Sequence, residues 1–230
     1  MKSYVITLVD LPVSVEAAER CITSCAKYGV YPEIFPAITP DDNPYEFICD
    51  TIGRKISRRL IDIETRPERV MSCFASQFAL WAKCAEGDED FLVLEHDARM
   101  VNPMPSINAR GRTGIMSLGK PSWGDPSPFY TEGVNNLNST PHPSHMNNFF
   151  LGNHAILFTP EGCREILTYM KDETTYWLKP ADMFLDKSVL NISEYYPHTF
   201  IVDESFTTVQ DHGRGIDVKL NIDKESYKVL

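Results

Sequence analysis

Phe91-Leu92-Val93-Leu94 is an unbroken apolar run that ends in Glu95-His96-Asp97. A strand with one wet face alternates apolar and polar residues, whereas this run suits a central strand covered on both faces. Such a strand requires helices on either side of a sheet, and the flanking sequence supplies them. Tyr4 to Leu8 reads as a short strand. Val15, Ala18, Ile22 and Cys25 then recur at helical spacing, and Gly29 stands where a C-terminal cap belongs. Tyr31 to Ile38 reads as a second strand, interrupted by Pro32 and Pro36. Thr65-Arg66-Pro67-Glu68 has the spacing of a capping box with proline in the first turn. Val70, Phe74, Phe78, Trp81 and Ala82 continue that helix to Gly87.

Strand patterns return at Gly114 to Leu118 and Asn153 to Phe158. Thr159-Pro160 opens a helix carrying Ile166, Leu167 and Met170. Pro180 to Leu190 reads as a short helix and Tyr195 to Val202 as a late strand. Gly119 to Asn148, rich in Pro, Gly, Ser and Asn, reads as a long loop, a feature more often functional than idle. No internal repeat or low-complexity segment interrupts the alternation, so the expected fold is a single α/β domain over residues 1–230.

A surplus of 32 Asp and Glu over 22 Lys and Arg argues against broad binding to nucleic acid, which depends on neutralising phosphates. Arg54-Lys55-Ile56-Ser57-Arg58-Arg59 is the one obvious basic cluster: a solvated helix face, or a grip on a phosphate backbone. The six cysteines form no Cys-x-x-Cys pair and no zinc-finger spacing with histidine, which predicts buried thiols in a reducing compartment. No apolar run approaches the roughly 18 residues of a membrane span, and Met1 to Asp10 lacks a signal-peptide pattern. These features predict a cytoplasmic protein without a stable membrane anchor. The sequence contains no Gly-x-Ser-x-Gly, no P-loop and no Gly-x-Gly-x-x-Gly, so hydrolase, NTPase and dinucleotide readings have no support.

In open α/β sheets ligands bind beyond the carboxyl ends of the strands, where Glu95 and Asp97 stand. Oxygen ligands at i and i+2 after a strand can turn toward one hard cation, Mg²⁺ or Mn²⁺, which would hold a diphosphate. The alternative is a loop that uses its acids for turns and caps.

At this point the chain resembles glycosyltransferase family 25. Tyr4-Val5-Ile6-Thr7-Leu8 is similar to the family's first strand, and Phe35-Pro36-Ala37-Ile38 to the strand after its first helix. Ser72-Cys73-Phe74-Ala75-Ser76-Gln77-Phe78-Ala79-Leu80-Trp81 resembles a helix written Gly-Cys-x-x-Ser-His-x-x-x-Trp. Phe91 to Ala98 resembles the apolar strand ending in Glu-Asp-Asp-Ala. Gly152-Asn153-His154-Ala155-Ile156-Leu157 followed by Glu161-Gly162, then Pro180-Ala181-Asp182-Met183-Phe184-Leu185, Pro197 and Gln210, fall in the family's order. The departures are Ser72 for Gly, Gln77 for His, His96 for the middle acid, and no arginine soon after the first strand.

The resemblance implies a GT-A-like, Rossmann-type nucleotide-sugar-binding fold with a mainly parallel central sheet. Its nucleotide-sugar half would span about residues 1–100 and its acceptor half about 101–230. It implies inverting transfer from a UDP-sugar donor with Mn²⁺ or Mg²⁺. Glu95 and Asp97 would hold the metal, with His212 as a third ligand. Thr7, Leu8 and Arg214 would contact the donor, and Asp182 would be the base. Asp182 also suits a helix N-cap, and Asp186 either supports it or is plain surface. His212 reads equally as part of an exposed loop, and His154 as a core histidine. The acceptor expected of the family is a glycan such as a lipopolysaccharide core. A short bacteriophage-type member would instead act on hydroxymethylated pyrimidines in DNA, faced by Arg54–Arg59 with Trp123, Phe129 and Tyr130. A catalytically silent nucleotide-sugar-binding module and a metal-dependent phosphoesterase are the readings from other classes.

Overall fold

Phe91–Glu95 is a strand, and its first four side chains are fully or almost fully buried. It lies within a computed structural model that describes residues 1–64, 66–106, 114–121, 130–137, 152–175 and 177–203. The elements in chain order are β1 (Lys2–Thr7), α1 (Pro12–Ala26), β2 (Glu33–Pro36), α2 (Pro44–Ile52), α3 (Arg59–Asp62) and α4 (Pro67–Ala85). They continue as β3 (Phe91–Glu95), β4 (Ala98–Met100), β5 (Ile115–Ser117), β6 (Gly133–Asn136) and β7 (Ala155–Phe158). The last are α5 (Pro160–Lys171), α6 (Ala181–Phe184), β8 (Ile192–Tyr196) and β9 (Phe200–Val202).

The large sheet has the order β2-β1-β3-β7-β5-β8-β6, and β4 pairs with β9 apart from it. β1 is parallel to β2 and β3, β7 is antiparallel to β3 and β5, and β8 is parallel to β5 and antiparallel to β6. Five of the seven strands (β2, β1, β3, β5, β8) thus point one way, giving a mixed α/β sheet that is mostly parallel. Strands from both the 1–100 and the 101–230 stretches share it.

Side-chain alternation divides the core into two layers. Tyr4, Phe91, Val93, Ile156 and Phe158 pack with α2, α4 and α5 on one face. Val5, Leu92, Leu94, Ala155 and Leu157 pack with Ala18, Cys21 and Cys25 of α1 on the other. Such double cover is why β3 carries no polar residue before its end. β1 is followed by β2 on one side, and the chain then recrosses through α4 to β3 on the other. The strand order therefore reverses at the carboxyl end of β1.

Local chemistry sets several boundaries. After α1 the Val30 N–H bonds the Cys25 carbonyl (3.1 Å) and the Gly29 N–H that of Ala26 (3.1 Å), with Gly29 at φ +74°. This is the Schellman closure that only glycine adopts cheaply. Thr159 Oγ1 accepts from the Gly162 N–H (3.1 Å) and caps α5. β2, with its Pro36, is an edge strand, where a missing N–H does least harm.

Other expectations need correction. Thr65, and with it the expected capping box, lies outside the described residues; α4 follows Arg66, and Glu68 accepts from Arg58 (2.7 Å). Arg54–Arg59 is not a helix face, because α2 ends at Ile52 and α3 begins at Arg59. The helix expected over Pro180–Leu190 covers only Ala181–Phe184. Asp186 Oδ1 accepts from the Ser188 N–H (2.8 Å) and hydroxyl (2.7 Å), turning the chain away. Tyr195–Val202 is two strands, since Pro197 has no N–H to continue a ladder and β9 departs to pair with β4. β6 lies within the expected loop 119–148. No described helix is long and apolar enough to cross a membrane. All six cysteines are free; five are buried and Cys73 is partly buried.

The N-terminus of α5 lies against the start of β5 with no room for a side chain. A Cβ on Gly162 would sit 2.2 Å from the Gly114 carbonyl oxygen and 2.5 Å from its carbon. Backbone cannot yield as a side-chain tip does. Gly162→Ala is therefore expected to lower stability in urea titrations by about 1–3 kcal/mol. An unchanged midpoint would show that the two elements are not held this closely.

Candidate active site at the carboxyl ends of β1 and β3

Glu95 is the last residue of β3 and shares the α4-facing side of that strand with Phe91 and Val93. Burial first, and then neighbouring Asp97 and Asp182, lift its carboxyl to about 8. Asp182, in the first turn of α6, is itself raised by burial, against the pull of the Met183 N–H on its Oδ1 (2.9 Å). The Cys73 thiol on α4 is pushed well up by burial and then by Glu95, Asp182 and Asp97. The fold thus brings Asp97 and Asp182 from two distant segments within electrostatic reach of Glu95 and of Cys73 on α4. No basic side chain figures among the groups acting on Glu95.

The loop bearing Asp97 is tied on both sides. His96 Nδ1 meets Ser14 Oγ in the first turn of α1 (3.2 Å), and the same Oγ accepts from the Leu8 N–H (3.0 Å). Burial and nearby Arg20 lower His96 to about 4, so it is a neutral link at physiological pH. The Asp97 carbonyl accepts from the Asp203 N–H (2.6 Å), and the buried Asp203 carboxylate pairs with Arg20 (3.4 Å). Asp97 also bears on Cys21 of α1, which places it at the rim between the layers.

Thr7 and Leu8 occupy this rim, since Ile6 is in register with Glu95. Thr7 is fully buried and donates its hydroxyl to the Val5 carbonyl (3.1 Å); its own carbonyl accepts from Ala37 (2.8 Å). Their hydrogen-bonding groups are used within the chain, so these two residues shape the rim. Asp182 is not an N-cap: Pro180 holds that position. Asp186 pairs with Lys179 (3.4 Å) and closes its own turn rather than supporting Asp182. His154 is buried, and burial, with His198 next, lowers it to about 4, as suits a core histidine. His212 and Arg214 lie outside the described residues, as do Trp123 and Phe129.

The basic cluster has structural employment. Arg54 donates to the carbonyls of Met170 (3.0 Å), Asp172 (2.7 Å) and Thr175 (2.6 Å), closing the C-terminal end of α5. Arg58 pairs with Asp62 (2.6 Å) and Glu68 (2.7 Å). Tyr130 is buried and donates its hydroxyl to Glu194, whose carboxyl burial lifts to about 7. Arg54 and Arg58 are half-buried and Tyr130 is buried, while Lys55 and Arg59 of the same cluster are exposed.

Two buried carboxamides were not singled out as site residues by sequence. Gln77 on α4 is 1% exposed and Asn153, just before β7, is 6% exposed; neither amide has a hydrogen-bond partner among the described residues. Both fall within motifs quoted for the family resemblance, Gln77 in place of its His, and both are polar where an apolar stripe or strand predicts an apolar residue.

The chain has an α/β sheet whose strand order reverses at β1, with carboxylates beyond β3 at that reversal, and open α/β sheets take their ligands at such a topological switch point. No protein-family model and no curated protein matches the chain. Among solved structures it is similar to a protein assigned as a glucose-1-phosphate thymidylyltransferase from Bacillus anthracis, in complex with sucrose. That similarity covers 97% of this chain and 96% of the other at 13% identity, with a TM-score of 0.42.

The raised Glu95 carboxyl has a pH consequence. The folded state keeps this proton to about pH 8, whereas the unfolded chain releases it near 4.5. Between the two, folding binds a proton and stability falls as pH rises, by about 1.4 kcal/mol per unit for one such group. Glu95→Gln removes that slope. In chelator, the variant is expected to gain on the wild type steadily from pH 5 to pH 8 in urea titrations. Parallel profiles would mean that Glu95 is not held in a dry site.

Proposed function

We propose that the chain is a metal-dependent, inverting glycosyltransferase that moves a sugar from a UDP-sugar to a hydroxyl of a glycan. The observation that carries this reading is the convergence of Glu95, Asp97 and Asp182 beyond the ends of β1 and β3. The donor set is all oxygen and half-buried, and no basic side chain among the described residues figures in what acts on Glu95, which fits a hard divalent cation. Among the described residues no three His, Cys, Asp or Glu stand together as metal ligands. Glu95 and Asp97 would therefore hold Mn²⁺ or Mg²⁺ jointly with the donor's phosphates, as such ions commonly are held. His212 is the proposed third protein ligand, and Arg214 the proposed phosphate contact. When bound, the cation supplies neutralisation of charge on the departing UDP.

The chain's own residues do the rest. Asp182, its carboxyl raised by burial, accepts the proton of the acceptor hydroxyl as that oxygen attacks the anomeric carbon. The Met183 N–H fixes which Asp182 oxygen remains available. Thr7 and Leu8 close the floor of the donor site, and His96 with Ser14 holds the Asp97 loop against α1.

A second reading is favoured by the lack of a described three-ligand set: a nucleotide-sugar-binding module without turnover. One assay separates the two. With Mn²⁺ and a panel of UDP-sugars, one donor is expected to release UDP slowly by hydrolysis. Asp97→Ala and chelator abolish that release, and Asp182→Asn reduces transfer to an acceptor by about 10²–10⁴-fold. Calorimetric binding of a donor without UDP release would identify the silent module. No binding of any donor overturns both.

A further inference from the structure

Gln77 is almost wholly buried, and neither its Oε1 nor its Nε2 has a hydrogen-bond partner among the described residues. A carboxamide left in that state is a standing cost to the fold, because it gave up water and received nothing. Its position says what it faces. The loop leaving β2 at the carboxyl edge of the sheet leads to α4, and the far end of α4 returns the chain to the start of β3. The helix therefore descends from the edge where the carboxylates gather.

Cys73, Gln77, Leu80 and Cys84 follow one another at three- and four-residue steps and so form one stripe of α4. At the foot of the stripe, the Cys84 thiol donates to the Phe158 carbonyl of β7 (3.9 Å), which turns the stripe toward the sheet. At its head, Cys73 lies among Glu95, Asp182 and Asp97. Gln77 is one turn below that head, facing the side of β3 on which Phe91, Val93 and Glu95 stand.

We infer that Gln77 is a positioning residue for the Glu95 carboxylate. Its Nε2 donates to Glu95 when a divalent cation occupies the Glu95–Asp97 pair. Ligating carboxylates need such a donor behind them to fix which oxygen faces the metal. The inference rests on the metal-dependent reading given above.

The test uses Mn²⁺ alone as the probe and two variants of the full chain. Gln77→Met keeps the length of the side chain and removes its hydrogen bonding. In chelator its Tm is expected to rise by about 2–4 °C, since an unsatisfied polar group has gone. Its calorimetric affinity for Mn²⁺ is expected to fall about tenfold, the loss of one charge-assisted hydrogen bond. Gln77→His, which restores an N–H, is expected to recover part of that affinity. A purely structural role would lower the Tm and leave Mn²⁺ binding alone. Equal Mn²⁺ affinity in Gln77→Met and the wild type overturns the inference whatever the Tm does. A wild type that binds no Mn²⁺ gives a different signature, overturning the metal-dependent reading and this inference together.

Discussion

The organisation of this protein depends on keeping β3 dry from Phe91 to Leu94. α1 covers one face with Ala18, Cys21 and Cys25, and α4 covers the other with Phe74, Phe78 and Trp81. Glu95 follows directly on that covered run and is half-buried at its end. The packing that stabilises the sheet thereby also shields this carboxylate in part from water. Burial, the largest influence on Glu95, lifts its carboxyl before any neighbouring charge acts. The neighbouring acids are a second layer on that effect. If α4 were shifted outward to wet the end of β3, Glu95 would become an ordinary surface acid and the site would lose its character.

The parts of this arrangement that one segment determines were legible in the sequence. The apolar run Phe91–Leu94 specifies a covered strand, because no other placement buries four consecutive large side chains in a domain of this size. Thr159-Pro160 and Gly29 carry their cap chemistry on the residues themselves. What depended on distant partners was not legible. Arg54 looks like a free cation until α5 ends beside it with three carbonyls turned outward. Asp186 looks like a helical residue until its carboxylate proves better satisfied by Ser188 than by a continuing helix. β4 and β6 are too short to show a period and exist because β9 and β8 supply their ladders. The acids at positions 95 and 97 were visible as a pair, and their joining by Asp182 was expected only through a family resemblance. The burial that gives Glu95 and Asp182 their chemistry is a property of the assembled layers and is not visible in the sequence.

The charge balance of the chain takes on a sharper meaning once the cations are located. With ten more acids than bases over the whole sequence, basic side chains are the scarcer resource. Arg54 is committed to a helix end, Arg58 to two acids and Arg20 to Asp203. These pairs and caps hold the periphery, where α3, α5 and the Asp203 segment meet the core. None of them figures in what acts on Glu95, where burial and then Asp97 and Asp182 all favour the protonated carboxyl.

An acidic site of this kind is maintained against the interest of the fold. Three carboxyl groups gathered with Cys73, and two carboxamides with no partner nearby in the chain, each subtract from stability relative to apolar residues of similar shape. Elsewhere the core follows the ordinary rule: polar groups such as Ser24, Ser76 and Thr7 are buried with their hydrogen bonds made. Trp81 Nε1 and Thr199 Oγ1, however, are also buried without a partner among the described residues, so a missing hydrogen bond by itself does not mark the site. What sets the rim beyond β3 apart is charge: Glu95 feels burial and then two further acids, Asp97 and Asp182, which reach it from the following loop and from α6. Like charges held together in partly dry surroundings destabilise a fold unless something neutralises them. That cost falls at the reversal of strand order, where open α/β sheets take their ligands.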